Sequence, residues 1–246
     1  MRAVLYICHG SKNDQTNKQF QLELEQMEQY INAPIQITAF LEAEPSIIEG
    51  VTKCSEQGAT EIILVPIFLL PGVHVIKDIP NEVKIAQRTF PEIPIHLGEP
   101  LGAREQLILN TQKRIVNKRL KGKQKREAVL LVSHGSRYLE ASNTFTYFAR
   151  ELENRLLELP VFESYLNSNK PNFESELRRL LAADYEVIYL VPHFFSIGFF
   201  PEKIKQTASY VQGNQEQTEV IYVDPITFDQ DIYANIKTNY NRTIIR

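Results

Sequence analysis

Two of the five histidines in this 246-residue chain close the same phrase. His9 lies in VLYICHGS at residues 4–11 and His134 in VLLVSHGS at 129–136, half a chain later. An apolar, β-favouring run that stops at His-Gly-Ser reads as a buried parallel strand delivering an imidazole at its carboxyl end. Open α/β sheets bind ligands at that edge. Parallel strands bring all their carboxyl ends to one side, so two more groups of the first half should reach the same edge. These are Glu42, after the second expected strand, and His74, in the loop after the third. Two imidazoles and a carboxylate form a donor set for a divalent transition metal such as iron, cobalt or nickel. The same imidazoles can take up protons near neutral pH.

The second half keeps His134 but has Asn167 where the first has Glu42, and Phe200 where the first has His74. A donor set whole in one copy and dismantled in the other points to one active lobe and one that shapes a cleft or binds substrate. His193 matches Ile67 within a strand and does not replace His74; His193 and His96, inside strand four, read as structural. Cys8, one residue inside the rim, and Cys54, on the inner face of a helix, read as packing residues. Two cysteines cannot form a disulfide framework or a cysteine-only metal site, and they fit a reducing compartment.

The elements that position these groups alternate. Strands are expected at 3–8, 34–41, 61–66 and 93–98. Between them the stripes Phe20, Leu24, Met27, Ile31, then Ile47, Val51, Cys54, then Ile79, Val83, Ala86, Phe90 mark amphipathic helices. Pro45 and Pro80 sit at helix starts, and a fourth helix is expected at 103–120. FLEAEP at 40–45 is echoed by YLNSNKP at 165–171, and IILVPIFLLPG at 62–72 by VIYLVPHFFSIG at 187–198. The fold class is therefore α/β, with two duplicated lobes at 1–120 and 121–246, each a parallel sheet with helices on both faces. Lobes of about 120 residues have the usual size of a domain.

A formal net charge of −3 gives no global pull toward nucleic acid or an anionic membrane. The longest apolar stretch, 62–76, is interrupted by Pro66, Pro71, Gly72 and His74 and is too short to span a bilayer. The first residues are too briefly apolar for a signal peptide, so the expected location is cytoplasmic. Residues 113–126 carry eight basic side chains without interleaved aromatics, which reads as a solvated linker rather than a nucleic-acid site. The nucleophile elbow, the Walker P-loop and the dinucleotide fingerprint are all missing. A phosphohistidine enzyme would want an arginine beside the histidine, where this chain has Cys8 and Ser133.

CHGS at 8–11, FLEAEPSI at 40–47 and VPIFLLPGVHVIKDIP at 65–80, in a duplicated chain, resemble the class II tetrapyrrole chelatases, and among them the long bacterial sirohydrochlorin ferrochelatases of sirohaem synthesis. The resemblance covers nearly the whole chain. It implies two chelatase lobes around a cleft that takes metal and macrocycle, with His9 and His74 as catalytic histidines and Glu42 on the metal-site glutamate. Asn167 and Phe200 depart from the pattern, which argues against a second active site. The implied reaction inserts Fe2+ into sirohydrochlorin and releases two protons. Relatives insert cobalt or nickel, so a cobaltochelatase or nickel chelatase is the alternative, and a non-catalytic tetrapyrrole or metal carrier the second. A carrier of the finished macrocycle needs one axial ligand at most. The expected partners are sirohydrochlorin and the divalent metal, Fe2+ or Co2+. No further cofactor, nucleic acid or membrane is expected, and the chain is expected to be a monomer. The macrocycle's carboxylates call for cations at the rim, and Lys12, Lys77, Arg137 and Lys203, with Ser11, are the expected substrate-binding residues.

Overall fold

The computed structural model describes residues 1–119, 126–157, 159–213 and 217–245. In the first half β1 (Arg2–Cys8), β2 (Ile35–Phe40), β3 (Glu61–Pro66) and β4 (Ile95–Leu97) form an all-parallel sheet of order β2-β1-β3-β4. The register pairs Cys8 with Phe40 and Ile7 with Pro66, so the three strands whose following loops carry Glu42, His9 and His74 finish nearly level. The second half repeats this with β5 (Glu127–Ser133), β6 (Val161–Tyr165), β7 (Val187–Pro192) and β8 (Glu219–Tyr222), in the order β6-β5-β7-β8. In both sheets the chain reverses its direction of growth between the first and third strands of the repeat. Ligands of open α/β sheets bind at such a switch point.

The helices are α1 (Asp14–Glu25), α2 (Ile47–Glu56), α3 (Ile79–Thr89), α4 (Glu105–Lys118), α5 (Leu139–Leu156), α6 (Phe173–Leu181), α7 (Phe200–Gln212) and α8 (Gln230–Ile245). α2 shows how each is placed. It begins at a capping box between Ser46 and Glu49, one residue later than the proline start expected at Pro45, and its stripe Ile47, Val51, Cys54 is wholly buried. A cap contributes about 1 kcal/mol, whereas each buried aliphatic side chain contributes about 1.5–3 kcal/mol. The stripe therefore holds the helix on the sheet, and the cap fixes only where it starts.

Alternate residues of the strands meet those stripes. Ala3, Leu5 and Ile7 pack with α2 and with Ile79, Val83 and Ala86 of α3. Leu130 and Val132 pack with Phe173, Leu177 and Leu180 of α6 and with Ile204, Ala208 and Val211 of α7.

The compact units cross the repeat. One consists of Met1–Arg104 with Phe228–Arg246, and the other of Glu105–Thr227. The helix expected to close the first lobe, α4, instead packs on α5 in the second unit, while α8 lies against β3 and β4 of the first. Tyr233 of α8 donates its hydroxyl to Glu23 at 2.9 Å, and the Asn239 amide donates to the Glu99 carbonyl. An amphipathic stripe says that a helix needs an apolar surface, not which sheet supplies it. The division expected at residue 120 is a boundary of the sequence repeat, and the packing exchanges the last helix of each copy.

Of the basic stretch 113–126, residues 120–125 lie outside the described residues. At its ends Lys118 pairs with Asp224, Arg119 with Glu127 and Arg126 with Asp184. Among the described residues no helix is long and apolar enough to cross a membrane.

Candidate active site

β1 delivers His9 and the ladder then continues past the strand ends. Leu41 N–H donates to Cys8 O at 3.1 Å and Glu42 N–H to His9 O at 2.9 Å, which sets Glu42 beside the histidine. Gly10 makes room for this crossing. Its φ is +87°, and a Cβ there would stand 3.0 Å from Ala43 N. His74 arrives after β3 at the head of a π turn, His74–Asp78, in which the Ile79 N–H donates to the His74 carbonyl five residues back.

The structure thus brings together all three predicted donors. One ligand atom each from His9, Glu42 and His74 lie within 4.8 Å of one another, and this is the one such trio found among the described residues. The two imidazoles stand edge to face with centroids 4.6 Å apart and planes at 86°, and Nδ1 of His9 is 3.9 Å from the Glu42 carboxylate. His9 and Glu42 are about half exposed, at 50% and 58%, and His74 less so, at 29%. A cleft of about 370 Å³ opens beside Glu42 and His74, lined also by Ser46, Asp78, Asn81 and Glu82.

The hydrogen bonds decide which nitrogens are available. Nδ1 of His9 lies 2.9 Å from the Gly10 carbonyl oxygen, which can only accept, so Nδ1 carries the proton and Nε2 the lone pair. Nδ1 of His74 lies 2.9 Å from Oδ2 of Asp78 and donates in the same way. Both rings therefore keep Nε2 for a ligand. Asp78 escaped the sequence reading, although the HVIKD spacing places it one helical turn from His74.

The second unit reproduces the frame without the donors. His134 Nδ1 lies 3.0 Å from the Gly135 carbonyl, but Asn167 puts its amide nitrogen 3.3 Å from Nε2. The Phe200 ring stands 5.0 Å from His134 at 75° and stacks on Phe194. His193 is buried against Phe148 and Phe145, with no hydrogen-bond partner on either ring nitrogen. Burial, and then the charge of Arg114, push its pKa down to about 3. His96 faces outward, 3.5 Å from Glu61. Cys8 and Cys54 are buried, and burial raises both thiols, Cys54 to about 12, so neither is a thiolate at neutral pH.

The predicted substrate contacts are cations at the rims. Lys12, Lys77, Arg137 and Lys203 are exposed, and Lys203 lies over the Phe199 ring at 5.9 Å. Ser11 is occupied by its own turn. Its N–H and carbonyl are bracketed by the Asn17 amide at 2.8 Å each, and its hydroxyl accepts from Asn13 N–H at 3.1 Å.

A doubled parallel sheet, with two imidazoles and a carboxylate gathered on the rim of one copy and only His134 left of that set on the other, points to a class II chelatase. The CbiX family model matches residues 3–118 and again 128–243, and the chain belongs to that family. It is 31% identical over 218 residues to the sirohydrochlorin ferrochelatase of Priestia megaterium, covering 88% of this chain and 82% of that one. It is 25% identical over 224 residues to the sirohydrochlorin cobaltochelatase of the same organism, covering 89% and 72%. The solved structure of SirB from Bacillus subtilis with Fe3+ superposes with a TM-score of 0.87 at 25% identity, covering 98% of this chain and 95% of that one.

Proposed function

We propose that this chain is a sirohydrochlorin ferrochelatase, which inserts Fe2+ into sirohydrochlorin and releases two protons. The observation that carries the reading is the trio itself: His9, Glu42 and His74 each offer a ligand atom within 4.8 Å of the others, and both imidazoles have Nδ1 engaged by an acceptor. Two neutral nitrogens and one carboxylate hold a divalent ion with three protein ligands and one compensating charge. That set leaves coordination positions open to the incoming macrocycle. The half exposure of His9 and Glu42 lets the ion be handed over rather than sequestered. His9 and His74 would hold the ion through Nε2 and, once it is passed on, would supply bases for the two pyrrole N–H protons. Lys12 and Lys77, on the rim of the first unit, and Arg137 and Lys203, on the rim of the second, are the groups we propose for the macrocycle's carboxylates.

The alternative of cobalt as the metal is favoured by the likeness to a cobaltochelatase at 25% identity, since an imidazole–carboxylate set accepts either ion. Anaerobic metallation of sirohydrochlorin with Fe2+, Co2+ and Ni2+, followed by absorbance, separates the readings. The expected result is a rate with Fe2+ well above the enzyme-free control, lost in His9→Ala and in His74→Ala. A faster rate with Co2+ would make the chain a cobaltochelatase. Tight macrocycle binding without turnover with any metal would make it a carrier.

A further inference from the structure

The two copies differ by one residue between the ring at the rim and the helix that follows. In the first unit the ring is His74 and the core residue is Ile79, at i+5; in the second they are Phe200 and Ile204, at i+4. Beyond that point the buried positions run in step, Val83 and Ala86 against Ala208 and Val211. The first unit therefore carries one more residue here, and it is absorbed as the π turn His74–Asp78. α7 starts as an ordinary α-helix, with Lys203 N–H donating to the Phe199 carbonyl four residues back. A residue four beyond another lies on the same helix face. In the second unit that position is Ile204, wholly buried. The added residue shifts the core role to i+5 and frees i+4 for a polar side chain at the rim. That side chain is Asp78, with Oδ2 2.9 Å from Nδ1 of His74. Single-turn π insertions are frequent at functional sites.

We propose that the one-residue π insertion serves to bring Asp78 onto His74, and that Asp78 is a positioning residue that accepts a hydrogen bond from Nδ1–H, fixes the tautomer and ring orientation, and presents Nε2 to the metal. The proposal rests on the reading of His9, Glu42 and His74 as the metal site. Carboxylates behind a ligating imidazole orient it and raise its basicity, and their loss weakens metal binding about 10–100-fold. His9 obtains the same restraint from a backbone carbonyl, which needs no side chain.

The test is anaerobic calorimetric titration of Co2+ into the whole protein, as wild type, D78A, D78N and H74A, with thermal unfolding of each and metallation kinetics alongside. D78A should lose Co2+ affinity by about 10–100-fold and need correspondingly more metal for half-maximal rate, with the KM for sirohydrochlorin and the melting temperature unchanged. D78N, whose Oδ1 accepts the same hydrogen bond, should recover most of the affinity. Wild-type affinity in D78A combined with a loss in H74A overturns the positioning role and leaves the metal site standing. Wild-type affinity in H74A removes the metal-site reading itself. Equal losses in D78A and D78N, or a loss in D78A that tracks a fall in melting temperature and is shared by the KM for sirohydrochlorin, also overturn the positioning role.

Discussion

Asn167 sets its amide nitrogen 3.3 Å from Nε2 of His134, on the nitrogen that its counterpart His9 keeps open. Apart from the π turn, the backbone link and the ring contact are repeated. Asn167 N–H donates to His134 O at 2.9 Å, as Glu42 N–H does to His9 O, and Phe200 takes the edge-to-face place of His74. Asn167 and Phe200 therefore stand where the first unit has two of its three donors, and the π turn is the further difference between the copies. The double variant N167E/F200H should bind a second equivalent of Co2+ in calorimetry, where the wild type binds one. A stoichiometry that stays at one would mean that the missing π turn and Asp78 matter as much as the donors.

Strand ends, both histidines and the glutamate were legible in the sequence because they follow from local signals, apolar runs that stop at polar residues and a repeat that aligns them. The dismantling of the second copy was legible for the same reason. Asp78 was not, because at i+4 in a helical pattern it reads as one more solvated carboxylate until the π turn displaces Ile79 into the core. Nor was the exchange of α4 and α8, since their stripes would satisfy either sheet. The hydrogen bond that engages Nδ1 of His9 depends on the position of the Gly10 carbonyl, which no residue type encodes.

The glycine after each histidine should be intolerant of a side chain. Gly10 has a φ of +87° and Gly135 of +86°, and a Cβ would stand 3.0 Å from Ala43 N in the first and 1.9 Å from the Asn167 carbonyl oxygen in the second. The left-handed backbone alone costs a non-glycine residue about 1–3 kcal/mol. G10A should lose about that much stability in urea unfolding, and G135A more, since the Asn167 backbone must move. G10A should also weaken Co2+ binding, because the displaced loop carries Glu42. Equal stabilities of G10A and wild type would show that the loop yields freely.

His193 should make the protein sensitive to acid. Its folded pKa is pushed down to about 3, while an unfolded histidine titrates near 6.5. Between these values the unfolded chain binds a proton that the folded chain refuses, so stability falls as pH drops through about 6.5 and continues to fall toward 3. One proton corresponds to at most about 1.4 kcal/mol per pH unit. The first unit carries Ile67 at the equivalent position, 4% exposed, so H193I is the natural substitution. The melting temperature of H193I should decline less than that of the wild type between pH 6.5 and 4, and parallel declines would assign the acid sensitivity to other groups.

Lys12 follows His9 and Lys77 follows His74, each by three positions; both are exposed, and neither forms an ion pair among the described residues. Cations left without protein partners beside a site for a polycarboxylate are free to meet the ligand's charges, whereas the cations at the edges of the linker, Arg119 and Arg126, are already paired. Exposed charges contribute modestly and are screened by salt. The double variant K12A/K77A should therefore raise the KM for sirohydrochlorin several-fold at low ionic strength, leave kcat and Co2+ affinity near wild type, and converge on the wild type as salt is added. A fall in kcat at unchanged KM would place these lysines in the metal transfer itself. An unchanged KM at low salt would remove them from substrate binding and leave the carboxylates to Arg137 and Lys203.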